Sequence, residues 1–66
     1  MGPSRGDHER ALASNERALA IAARERAALG GVNAPIHSDT ACIHDEVAVL
    51  HDATARLFDY GDRERQ

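Results

Sequence analysis

The chain contains no lysine and no tryptophan, a single cysteine (Cys42), two prolines, and only Phe58 and Tyr60 as aromatic rings besides its histidines. One thiol excludes an intramolecular disulfide framework and suits a reducing compartment. No apolar run approaches the ~20 residues that span a bilayer. The polar opening from Met1 to Asp7 lacks the apolar segment of a signal peptide, so a cytoplasmic address and no membrane partner are expected. Excess positive charge is missing too: eight arginines stand against eleven acids, for a net charge of −3. A nucleic-acid binder needs a clustered basic footprint. The first half offers only Arg5, Arg10, Arg17, Arg24 and Arg26 among Asp7, Glu9, Glu16 and Glu25, and the acidic second half would repel a phosphate backbone. Nucleic acid is not an expected partner. The absence of lysine beside abundant alanine, arginine and aspartate reads as GC-rich coding bias rather than a functional choice.

Bulk is scarce as well. Hydrophobic residues make up 42% of the 66 positions, but many are alanine, and only thirteen large apolar side chains follow Met1. A chain this short has a poor ratio of buried to exposed surface. So few large side chains do not clearly outweigh the entropy of ordering it. One small domain that needs company is the expectation.

What is present is periodic. Glu-Arg-Ala-Leu-Ala occurs at 9–13 and again at 16–20, and residues 43–63 also fall into sevens beginning at Ile43, Leu50 and Leu57. Seven residues make about two helical turns, so each recurrence stacks like on like. The pattern predicts an all-α fold: a helix over 7–29, a connection over 30–38 and a helix over 39–60. Residues 1–6 are expected to be flexible and 61–66 a frayed tail. Asp7 is the expected cap of the first helix and Ser38 or Asp39 that of the second. Gly30-Gly31 stops the first, Pro35 prevents a continuous helix, and Gly61 closes the second. Matched helices with a short connection make an antiparallel hairpin.

On the second helix Ile43, Leu50 and Leu57 form a column, with Val47 and Thr54 beside it and Asp45, Asp52 and Asp59 roughly opposite. The first helix has Leu12 and Leu19 running into Arg26, a column of Arg10, Arg17 and Arg24, and small residues at Ala13, Ala20 and Ala27 that allow close approach. Two helices packed face to face leave their flanks wet. A homodimer forming a four-helix bundle would cover them, with Val49, Phe58 and Tyr60 as bridging candidates. Leu12, Leu19, Ile43, Val47, Leu50, Leu57 and Phe58 are the residues expected to carry association. The arginine and aspartate columns could join one hairpin to another, although local neutralisation by Glu9, Glu16 and Glu25 is the plainer reading.

Candidate chemistry is thin. His37, His44 and His51 recur in sevens, but residues that far apart on one helix are separated by about 10.5 Å, too far for one metal ion. No Glu-x-x-His or His-Glu-x-x-His occurs, so no intrachain metal site and no cofactor are expected. Cys42 and His44, two apart, point to different sides and make a poor catalytic dyad. No catalytic residues are assigned. The function expected is a small non-enzymatic adaptor or regulator that works by helical self-association or by packing on a partner helix. The first alternative is a ligand-, metal- or pH-sensing bundle using Cys42, His44 and His51 at an interchain site. On that reading association or helicity changes between about pH 5 and 8, where histidine titrates. The second alternative is an accessory or inhibitory subunit that completes its core on a larger protein.

Overall fold

The structure is a computed structural model and describes residues 2–64. Two helices account for nearly all of it: α1 spans Arg5–Ala28 and α2 spans Ala34–Glu64. They pack antiparallel along their length, and the slab they form measures 54 × 20 × 10 Å over Cα atoms. The hairpin is as the heptads predict; its boundaries differ.

Ser4, not Asp7, caps α1. Its backbone is extended and its Oγ accepts from the Asp7 backbone N–H at 3.1 Å, one of the donors a helix N-terminus leaves unpaired. Asp7 falls in the first turn instead, where its carboxylate suits the positive end of the helix dipole and takes Arg10 at 3.0 Å. Helix therefore reaches back into the segment expected to be flexible. Gly30 and Gly31 do end α1, both at positive φ, 81° and 90°, where a side chain would be strained. The connection is shorter than expected because Pro35 lies within the first turn of α2. A first-turn N–H has no intrahelical acceptor, so proline there loses no bond and brings a suitable φ. Asn33 accepts from the His37 N–H through its carbonyl at 3.0 Å. Ser38 and Asp39 are consequently inside the helix. Gly61 does not close α2, which continues to Glu64 beneath a 3.1 Å bridge between Arg5 and Asp62. Met1, Arg65 and Gln66, which belong to the two expected flexible ends, lie outside the described residues.

The contact between the helices is made of small residues. Ala13, Ala20 and Ala23 on α1 and Ala41, Ala48 and Ala55 on α2 are the buried apolar residues, all at 2% exposure or less. Alanine at every seventh position on both helices lets the backbones approach closely, gaining dispersion contact with little side-chain entropy to lose. Gly6 continues the α1 row at its start. A Cβ there would strike the Asp59 carboxylate and sit 3.3 Å from the Ala55 carbonyl oxygen. The hairpin's own core is therefore dry but shallow, and the leucines take no large part in it. Leu19, Ile43, Leu50 and Leu57 are each at least half exposed.

Candidate interaction surface

Two rows of polar pairs flank the alanine seam. On one side Arg10 meets Asp59, Arg17 meets Asp52 and Arg24 meets Asp45, all within the chain. Each step of seven up α1 is a step of seven down α2, so the three bridges fix a single antiparallel register. The columns that the sequence allows as a link between hairpins, or more plainly as faces neutralised by nearby glutamates, are thus paired with each other inside one hairpin. The reason is geometric: a close alanine seam leaves the two columns within reach of each other. The hydrogen bond from Arg17 holds the Asp52 carboxyl below the usual carboxylate range, burial opposes that fall, and Arg56 and Arg10 add to it at longer range. The same bond raises Arg17, and the bond to Asp45 raises Arg24. These groups are open to water, so the ladder sets register more than it adds stability.

On the other side of the seam, His44 Nδ1 lies 2.5 Å from Glu16 Oε2 and His51 Nδ1 lies 2.6 Å from Glu9 Oε2. The sequence reading treats these glutamates only as local partners for arginine. The signal that could have paired them is available: Glu9 and Glu16 repeat in sevens, as do His44 and His51. An antiparallel fold brings those two repeats level. His37 has no such partner in α1, since the next step of seven along the glutamate column is Ala23.

The side chains two residues away from the ladder define the opposite face. Two residues turn a helix by about 200°. Leu12 and Leu19 follow Arg10 and Arg17 by two, and Val47 follows Asp45. Ile43, Leu50 and Leu57 precede Asp45, Asp52 and Asp59 by two. All six therefore fall on the side of the slab away from the Arg–Asp ladder, where Leu50 and Leu57 are 65% and 72% exposed. Leu12 and Val47 are half-buried against the seam. The seventh expected residue, Phe58, lies at the end of this face, with the Arg5 guanidinium 4.6 Å from its ring centre. Val49, Tyr60 and Ile21, also exposed, lie elsewhere on the surface. Cys42 is exposed and about 200° around α2 from His44, so the structure does not gather Cys42, His44 and His51 into one site. Among the described residues no three potential ligands are grouped for a metal ion, and no helix is long and apolar enough to cross a membrane.

Fold and faces together define a class: a small antiparallel helical hairpin with an alanine seam, a charged ladder on one side and an open apolar face on the other. The chain matches no protein-family model, no curated protein and no solved structure.

Proposed function

We propose that this chain is a small, non-enzymatic, cytoplasmic protein–protein interaction module whose working surface is the face of Leu12, Leu19, Ile43, Val47, Leu50 and Leu57. In its finer form, two copies pair through this face as a homodimeric four-helix bundle. One observation carries the reading: Leu19, Ile43, Leu50 and Leu57 stand at least half exposed on the side away from the Arg–Asp ladder, while the hairpin's interior holds no apolar side chain larger than alanine. A contiguous apolar face rimmed by polar residues is the mark of an association surface.

Sedimentation velocity on the purified chain tests this reading. The wild type is expected at twice its 7.1 kDa mass, and Leu50→Asp at the single mass, because it places an unpaired charge in the covered face. Val49→Asp, one residue away and outside the face, is expected to leave association intact. A 7.1 kDa particle that melts cooperatively at the same temperature at every concentration would overturn the module. A poorly helical single chain that folds only on a larger protein would instead favour the accessory-subunit reading.

A further inference from the structure

The apolar face has a polar floor. Glu9, Glu16 and His44 lie three residues before Leu12, Leu19 and Val47 on that face, and His51 lies three before Thr54, which continues the Val47 column. The alanine seam closes one side of the two His–Glu pairs. What exposure remains, 27% for each histidine and 24% and 18% for Glu16 and Glu9, is on the flank that the face borders.

Resting on the reading that a second copy covers this face, we propose that the dimer binds divalent transition-metal ions of the zinc class at two levels. Glu16 and His44 of each copy form one level and Glu9 and His51 of each copy form the other. Four observations converge on this site. Imidazole and carboxylate are the donors such ions take, four at a time in a tetrahedral site. The two donors of each pair already lie 2.5 and 2.6 Å apart. Ligands about 2.0–2.1 Å from a tetrahedral ion stand roughly 3.3 Å from one another, so a small opening admits the metal. One chain supplies two donors per level, which is two short.

A two-fold axis parallel to the helices supplies the other two, because it returns the same pair at the same level from across the bundle. That axis also stacks α2, with its Ile43, Leu50 and Leu57 ridge, over the partner's α1. There the corresponding positions are His8, Asn15 and Ala22, so the thick half of the face meets the thin half. All neighbouring helices are then antiparallel. Charge is the fourth observation. Covering the face removes two carboxylates per level from water, and buried anions require a counter-charge close by. A dication beside two neutral imidazoles provides it. The levels are seven residues apart, or about 10.5 Å.

The test is a titration of the full chain with zinc(II), and with cobalt(II) as a spectroscopic stand-in, followed by absorbance, sedimentation and thermal melting. Saturation is expected at one ion per chain, with the strong visible bands of four-coordinate cobalt and a raised melting temperature. Glu16→Gln and His44→Gln should each weaken binding at their own level by at least about tenfold, with helicity monitored alongside. The pair of changes Glu9→Gln and His51→Gln should leave one ion per dimer. Cys42→Ser should change nothing, since that thiol is outside the site. A dimer that gives only the weak bands of six-coordinate cobalt, or binds equally after His44→Gln, overturns the metal site and leaves the interface standing. A metal-free dimer that dissociates as the histidines lose their protons assigns the counter-charge to protons and overturns it too. A chain that stays single with and without metal overturns both the site and the interface on which it rests.

Discussion

The seam of the hairpin and its leucine face divide the labour usually combined in one core. The seam contains side chains with one carbon, held at close range and bracketed by five polar pairs that only one register forms together. The face contains most of the bulk, largely open to water and bordered by the two Glu–His pairs. Specificity is concentrated where little apolar area is buried, and the area is concentrated where nothing in the chain covers it. A hairpin so divided knows how its own helices align but has spent little of its hydrophobic surface in doing so. That surface remains open to water in the single chain.

Breaking the seam should have the largest effect. Ala20→Leu or Ala48→Leu forces the helices apart at a fully buried position and disengages the bridges on both flanks. A loss of at least about 2–3 kcal/mol is expected, enough to unfold a chain of this size, and a urea melt followed by circular dichroism measures it. Leu50→Asp comes next. It should abolish the concentration dependence of the melting temperature while the seam's register survives, as the surviving Arg17–Asp52 coupling would show in a double-mutant cycle.

A smaller effect separates the two regions by solution conditions. Because the Arg–Asp bridges lie within the hairpin, concentrated salt should lower helix stability slightly without weakening association. Association that dissolves in salt would return those columns to the interface. Acid acts on the same ladder. The Asp52 carboxyl is depressed in the fold, so its contribution is whole above the unfolded carboxylate's pKa of about 3.9 and is lost as pH falls through the lower folded value. Arg17→Ala should flatten that part of the pH profile, read as helicity between about pH 2 and 5. The smallest effect sharpens the contrast: Val49→Asp should remain within about 0.5 kcal/mol of wild type, although Val49 is nearly as exposed as Leu50.

Much of the site could be read from the residues before any coordinates. The columns of Leu12 and Leu19 and of Ile43, Leu50 and Leu57 follow from the spacing of sevens, as do the arginine and aspartate columns. What could not be read is which column faces which. A helix with leucine, alanine and charge all repeating every seven residues has several candidate seams, and amphipathicity favours the leucine one. Alanine prevails here because two matched alanine rows allow a backbone approach that leucine prevents, and that approach brings Arg10, Arg17 and Arg24 onto Asp59, Asp52 and Asp45. The Glu–His pairs escaped notice for a related reason. Their partners are 28 and 42 residues apart along the chain and become neighbours only once that register is set. The helix ends were misplaced by local chemistry: Ser4 competes with Asp7 as a cap, and proline in a first turn begins a helix as readily as it ends one.

Helical repeat, the break at Gly30-Gly31 and the shortage of bulk are properties of the linear order, since they depend on backbone conformations and side-chain spacing that each segment carries by itself. The choice of seam belongs to the tertiary structure. It depends on how near two helices can come, a quantity neither helix possesses alone, and it determines which side chains are enclosed and which are left exposed.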